Sequence, residues 1–450
     1  MNRLPPEIIS CIARCTLGDR DFDVLPIIPL THVCRYWRDS IISAPQNWTL
    51  ISSYERRLAE LSLKRAKAAS LAIHLEFQFE REFLDLLRPH VRSTTSLSCE
   101  GFNVVEELVQ ALPHFPESTP KLRSLALAER STRTEWGLVD PFEFSTHTML
   151  RELSLSYVPL LPSFLSLKTL TKFSLCDRDF QLPLDTLLSF LEENRSLESA
   201  TFRIKFAEPP LACSQRRTPV GNRLRHLFIM AYNVANIRPL ISNIALRKEA
   251  TLALKLYYGE EGLTEIFSGV PMRHLSNLSS PTFMEYRHSP RNVRLLGADG
   301  SFSYEGPGDS DAPFEGFPLL PLANIRELRL KCCGSWILTD FRPSFFPSLE
   351  VLAIDGGSSI SFLFPELPSS TPSPLLRTLA FLDCVITEDF MATLTQIALH
   401  RRNNASTSLH RVVVIDSKRQ FPPAASVKRL REHVPVVEVF EGKEFPKDLS

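Results

Sequence analysis

The 450-residue sequence has no charge of one sign to spare: 51 Lys and Arg stand against 51 Asp and Glu. Affinity for nucleic acid comes mostly from cations that displace counterions, so this balance argues against nucleic acid as the main partner. Long apolar runs are missing too. Nothing approaches the roughly 18 residues that a bilayer span needs, and the stretch Met1 to Glu7 holds no apolar core of a secretion signal. No membrane association is expected, and the expected location is cytoplasmic or nuclear. Thiols stay reduced there, so nine cysteines read as small core residues and not as a disulfide framework. For the same reason the sequons at Asn47, Asn194, Asn277 and Asn404 carry no expectation of glycans. Glycine is sparse, 16 against 34 prolines, which excludes a collagen and points to many punctuated turns between short elements. With 44% hydrophobic residues the chain has ample material for a large core, and disorder is excluded.

Catalytic signatures are absent as well. No G-x-x-x-x-G-K-[ST], G-x-G-x-x-G, G-x-S-x-G or H-E-x-x-H occurs in the sequence, so the expectation is a protein that is not an enzyme and needs no cofactor. Asp19-Arg20-Asp21-Phe22-Asp23 begins like a calcium loop. Val24 then stands where the turn needs Gly, and Leu30 where a bidentate Glu must close the site. Cys11, Cys15, His32 and Cys34 can be drawn as a zinc set, but C-x3-C and H-x-C match no strong zinc spacing, and the cysteines fit a helical core face. Cys332 and Cys333, adjacent on a strand, face opposite ways. The basic groups Arg216-Arg217, Arg401-Arg402 and Lys428 to Arg431 read as solvated surface.

What the chain does contain is repetition. From residue 122 onward the pattern apolar-x-x-apolar-x-apolar returns as Leu122/Leu125/Leu127, Leu150/Leu153/Leu155, Leu170/Phe173/Leu175, Leu197/Ala200/Phe202 and Leu224/Leu227/Ile229. It resumes as Ile325/Leu328/Leu330, Leu349/Leu352/Ile354, Leu376/Leu379/Phe381, Leu409/Val412/Val414 and Val434/Val437/Val439. Within each run the copies lie 20 to 33 residues apart, which brackets the period of leucine-rich repeats. The last two apolar residues of each copy sit two apart, as one face of a strand requires. Amphipathic patterns over 103–112, 185–194 and 387–400 supply helices between strands, with Thr387 as a cap and Glu388 and Asp389 at the positive end of the last. Between 230 and 324 the pattern fades to degenerate copies at 250–258 and 292–298. The Gly-, Pro-, Asp- and Ser-rich stretch 299–318 reads as a loop excursion.

The first fifty residues follow another logic. Pro6 and Glu7 open a helix with Ile8, Ile9 and Ile12 on its apolar face. A second helical stretch sets Leu30, Val33, Cys34, Trp37 and Ile41 on one stripe and ends before Pro45. Leu4-Pro5-Pro6-Glu7-Ile8-Ile9, then Val33-Cys34-Arg35-Tyr36-Trp37-Arg38, then Pro45 and Trp48 resemble the F-box motif, with its Leu-Pro-x-Glu opening, Val-Cys-x-x-Trp-Arg middle and Pro-x-x-Trp close. Tyr54 to Ser70, followed by Leu71 to Leu75, is similar to the helix and first strand that join an F-box to its repeats.

The resemblance implies a function. F-box proteins serve as substrate receptors of Skp-cullin-RING ubiquitin ligases, the box docking on the Skp adaptor and the C-terminal domain holding a protein substrate. By that analogy Leu4, Pro5, Ile8, Ile9, Ile12, Val33, Cys34 and Trp37 form the adaptor surface, with Trp37 the anchor, while Arg38 and Trp48 hold the box together. The expected architecture is α/β: an F-box over 1–50, a connecting helix over 51–70 and an irregular leucine-rich-repeat solenoid over 71–450. Independently of the family, residues beside the apolar repeat positions line the other sheet face. Early copies offer little, Ser124, Ala126 and Ala128, then Glu152, Ser154 and Ser156, then Lys172, Ser174 and Cys176, and late ones are apolar, with Val351, Ala353, Ala380, Leu382, Val413 and Ile415. The middle ones offer His226, Phe228, Met230, Lys255, Tyr257, Glu327, Arg329 and Lys331, residue types suited to an interface centre, so substrate contact is expected there.

Overall fold

The structure, a computed structural model, describes residues 4–16, 26–77, 81–112, 115, 117–130, 142, 149–181, 183–205, 223–232, 234–257, 263–270, 272–287, 291–297, 300–306, 319–331, 343–356, 375–403, 408–415 and 422–441. They form two compact units, Met1–Glu208 and Pro209–Ser450. Among the described residues the fold is mixed α/β, with seventeen strands and twelve helices. The calcium-like run and the pairs Cys332-Cys333 and Arg216-Arg217 lie outside the described residues.

The first unit opens with three helices, α1 (Pro6–Cys15), α2 (Ile27–Leu30) and α3 (Arg35–Ser43). Pro6 starts α1 where a missing N–H costs nothing, and Glu7 and Arg14 sit at the ends that suit their charges. Its inward face is Ile9, Ser10 and Ala13, so Ile8 and Ile12 turn away from the core. The single stripe expected from Leu30 to Ile41 is broken: α3 begins only at Arg35, with Val33 and Cys34 in the turn before it. A polar clasp closes the region. Ser10 Oγ donates to Asn47 Oδ1 at 2.8 Å, and Asn47 Nδ2 and Trp48 Nε1 both donate to the Ile41 carbonyl, at 3.2 and 3.0 Å.

Strand β1 (Leu50–Ser52) and helix α4 (Arg56–Ala66) follow, then β2 (Leu71–Phe77), α5 (Arg81–Leu87), β3 (Thr94–Gly101), α6 (Val104–Ala111) and β4 (Ser124–Glu129). The unit continues with β5 (Glu152–Ser156), α7 (Pro162–Leu165), β6 (Lys172–Gln181), α8 (Leu184–Glu193) and β7 (Ser199–Lys205). Each strand pairs in parallel with the next from β1 to β7. The repeat sets the register: Leu125, Leu153, Phe173 and Ala200 lie opposite one another in turn, as do Leu127, Leu155, Leu175 and Phe202. All are at most 2% exposed. A parallel neighbour needs a crossover, and the helices between strands cover the apolar face that one strand cannot bury alone.

The second unit contains β8 (His226–Ala231), α9 (Val234–Ser242), β9 (Thr251–Leu256) and α10 (Leu263–Phe267). It continues with β10 (Pro281–Arg287), β11 (Arg291–Gly297), β12 (Ser301–Gly306), β13 (Glu327–Lys331), β14 (Val351–Asp355) and β15 (Thr378–Leu382). It ends with α11 (Glu388–Asn403), β16 (Arg411–Ile415), α12 (Ala424–Arg431) and β17 (Val436–Phe440). Strands β13 to β17 are a parallel ladder in the expected register, Leu328, Leu352, Leu379, Val412 and Val437 lying in one row. Thr387 caps α11 as expected, its Oγ1 accepting the Phe390 N–H at 3.1 Å.

Two expectations fail between β9 and β13. The chain skips to β10, returns through antiparallel β11 and β12, and β12 then pairs in parallel with β9 while β10 pairs in parallel with β13. Of the stretch 292–298, expected as a degenerate repeat copy, residues 292–297 lie on β11 and run against their neighbours, and Ala298 lies outside the described residues. The loop expected over 299–318 opens with a strand instead, because Phe302 and Tyr304 alternate with small and polar residues and are both fully buried. Period-two burial prevails there over the turn-forming composition.

A third difference concerns the late strands. Val351, Ala353, Ala380, Leu382, Val413 and Ile415, expected on an open face, form a second core cluster at 0–3% exposure, with Phe440 packed on it. Strands β14 to β16 are covered on both faces, which accounts for their unbroken apolar runs.

Candidate functional site

The N-terminal helices and the segments that lead into them leave apolar side chains open. Val33 is 59% exposed, Ile8 46% and Leu4 45%, Pro5 and Cys34 are exposed, and Ile12 and Trp37 are half-buried. Ile9, expected among them, is fully buried between α1 and its neighbours and is corrected to a core residue. Two bonds hold these segments in place. The Tyr36 hydroxyl donates to the Leu4 carbonyl at 2.9 Å, and Arg38 Nε donates to the Thr31 carbonyl at 3.0 Å, steadying the turn that carries Val33. Trp48 is the buried aromatic of the region at 1% exposure, in keeping with its expected structural part.

The eight residues expected to contact substrate divide into two groups. His226, Phe228, Met230, Lys255 and Tyr257 adjoin on β8 and β9 and the residue that follows β9. Met230 lies opposite Lys255, the Tyr257 hydroxyl approaches Met230 Sδ at 3.0 Å, and Tyr232 and Tyr257 rings pack at 5.7 Å. Glu327, Arg329 and Lys331 stand on β13, four strand spacings away across β12, β11 and β10, roughly 19 Å. His226 is exposed and the other seven are half-buried, so none is sealed in the core.

The inserted strands fill the space between the groups with charge. In register across the face run Met230, Lys255, Glu305, Asn292, Arg287, Lys331 and Asp355. The next row holds Phe228, Ala253, Ser303, Arg294, Glu285, Arg329 and Ala353. Lys255 pairs with Glu305 at 2.6 Å, Lys331 with Glu285 at 2.8 Å and Arg329 with Glu327 at 2.6 Å, and the Arg329 guanidinium also lies 5.3 Å from the Phe283 ring centre. Burial raises the Asp355 carboxyl above its ordinary range, aided by Asp383 and opposed by Lys331. Phe283, Glu285, Arg287, Arg294 and Glu305 escape a reading based on the repeat, because they belong to strands outside its period. For Phe283, Glu285, Arg287 and Glu305 the signal in sequence is the alternation over 283–287 and 301–306.

The first unit carries a different face: His74, Ser98, Ala126, Ser154, Ser174 and Thr201 lie in one row, with the expected small residues Ala126, Ser154 and Ser174 in its middle. His74 Nδ1 and Ser98 Oγ are 3.2 Å apart, and Arg130 bridges Glu76 and Glu100. Burial lowers the His74 pKa, against the pull of Glu100 and Glu76. Among the described residues no group of three or more His, Cys, Asp or Glu is placed to hold a metal. Cys11, Cys15 and Cys34 are exposed, not part of a core face. Arg401, expected in solvent, is 5% exposed and donates to the Leu376 carbonyl at 3.1 Å. Three of the four sequon asparagines are core groups: Asn47 serves the clasp, Asn194 Nδ2 donates to Phe190 O, and Asn277 Nδ2 to Ser301 O. No described helix is long and apolar enough to cross a membrane. In comparison with known proteins, no family model and no curated protein matches the chain.

Proposed function

We propose that the protein is the non-catalytic substrate-recognition subunit of a Skp-cullin-F-box ubiquitin ligase, working in the cytoplasm or nucleus. Its first fifty residues act as the F-box and its strand-helix repeats as an irregular leucine-rich-repeat solenoid. The observation that carries the reading is the exposure of Leu4, Ile8 and Val33, with Trp37 half-buried: large apolar side chains left open on α1 and on the segments that lead into α1 and α3. Burying such groups against an adaptor returns about 25 cal/mol per Å² of apolar surface. The protein contributes proximity and no chemistry of its own, since a substrate held near a ligase core reacts as if within one molecule.

Co-purification of the full chain with a Skp adaptor tests this directly. Wild type is expected to retain the adaptor, and Val33→Asp to lose it with unchanged thermal stability. Failure of the wild-type chain to bind would leave a partner-binding scaffold without a ubiquitin role, with the helices as a cap on the repeat stack.

A further inference from the structure

The inserted strands β10 and β11 carry Arg287 and Arg294, both exposed and neither in an ion pair among the described residues, whereas Lys255, Arg329 and Lys331 around them each have a carboxylate. Arg287 stands opposite Asn292 and Arg294 opposite Glu285, so the two arginines are diagonal neighbours, about 7 to 8 Å apart at the backbone. Arg287 also lies directly opposite Lys331 on β13. Like charges so placed repel unless an anion joins them, and the nearby acids are shared: Glu285 is bonded to Lys331, while Asp355, which Lys331 and Arg287 both attract, is pushed toward its neutral form by burial. We propose that this face binds an acidic segment of a partner protein, with Arg287 and Arg294 taking its carboxylates.

The surroundings select the class of anion. Glu285, Glu305 and Glu327 interleave with the cations, and they would repel a continuous polyphosphate while leaving room for side-chain carboxylates spaced along a peptide. Arginine's planar fork receives a carboxylate in two parallel hydrogen bonds, which an ammonium cannot do. The assignment rests on reading this sheet face as the protein-binding face. It is independent of adaptor docking.

The test uses the full chain and fluorescein-labelled octaglutamate, with octaglutamine and octauridylate as neutral and polyphosphate probes, followed by anisotropy at low and moderate salt. Octaglutamate is expected to bind with an affinity that falls with salt. Arg287→Glu/Arg294→Glu should weaken it roughly tenfold, in line with two lost charge-assisted contacts. The charge-matched Lys428→Glu/Arg429→Glu on α12, where both lysine and arginine are exposed, should bind like wild type. The neutral pair Arg287→Gln/Arg294→Gln guards against a folding defect and should also weaken binding. No octaglutamate binding, equal loss in both charge-reversed variants, or tighter binding of octauridylate would overturn the proposal. Because no adaptor is present, loss of adaptor capture would leave this outcome standing.

Discussion

The guanidinium of Arg65 lies 4.2 Å from the centre of the Trp48 ring. Arg65 is in the last turn of α4, while Trp48 closes the helical region and donates its indole N–H to Ile41 of α3. One side chain thus ties the helices beside the open apolar side chains to the helix that leads into the sheet. Trp48→Ala is expected to destabilise the first unit by about 3–5 kcal/mol, and Arg65→Ala by about 0.5–2 kcal/mol. Urea unfolding of the full chain measures both, and a midpoint unmoved by Trp48→Ala would show that the indole does not hold this joint.

Neighbouring isoleucines in α1 should behave oppositely. Ile8 is open and Ile9 is sealed, so under the proposed adaptor docking Ile8→Asp should abolish capture while leaving thermal stability within about 0.5 kcal/mol. Ile9→Ala should cost about 2–5 kcal/mol and affect capture only through folding. Thermal melts paired with adaptor pull-down read both; an Ile8→Asp protein that still holds the adaptor would remove Ile8 from the surface.

His74 makes the first unit sensitive to acid. Burial depresses its folded pKa below the ordinary 6.5, so the folded state favours neutral imidazole and the linked stability is complete above the unfolded pKa. It is lost as pH falls from there through the depressed folded value. Glu76 and Glu100 facing the ring limit the loss and Arg130 adds to it. Stability followed from pH 7.5 downward should therefore decline more steeply in wild type than in His74→Gln; parallel curves would contradict this.

Glu129 at the end of β4 takes the place of a helix cap. Its two carboxylate oxygens accept the Asn103 and Val104 N–H groups at 3.0 and 2.9 Å, at the start of α6, where Asn103 adopts a left-handed φ of 53°. Charged acceptors at a helix N-terminus satisfy orphan donors and face its positive end. Glu129→Ala should cost about 1.5–3 kcal/mol per charge-assisted bond lost, and Glu129→Gln less. Hydrogen exchange at Asn103 and Val104 localises the effect, and unchanged exchange in Glu129→Ala would refute the cap.

The strand ladder was legible because Leu153, Leu352 and their equivalents repeat the same two-residue spacing that one sheet face demands, and their pairing followed once neighbours aligned. The helices over 103–112 and 387–400 were legible for the same kind of reason, an apolar stripe with suitable ends. Topology was not: nothing local in Val293 or Leu295 distinguishes an antiparallel strand from a parallel one, since both need only alternate burial. Burial of the second face of β14 to β16 was hidden too, because Val413 reads alike on an open face and a covered one. Ile8 and Ile9 shared one apolar pattern, and only the packing of α1 against α3, on the face that also carries Ser10 and Ala13, decides which of them turns inward.

The inserted strands offer the sharpest test of that topology. At Gly300 an added Cβ would lie 2.2 Å from the Lys248 carbonyl oxygen and 2.9 Å from that of Ala250, backbone atoms that cannot swing aside. Gly300→Ala must therefore push the start of β12 away from β9, where Ser301 N–H donates to Ala250 O at 3.2 Å. Overpacking of this kind costs about 1–3 kcal/mol. It should also uncouple Lys255 from Glu305, whose pairing depends on β12 lying in register with β9. Unfolding of the four proteins of a Gly300→Ala, Glu305→Gln cycle measures this. Glu305→Gln should cost less in the Gly300→Ala background than in wild type, and equal costs would mean that the ion pair does not depend on the strand's position.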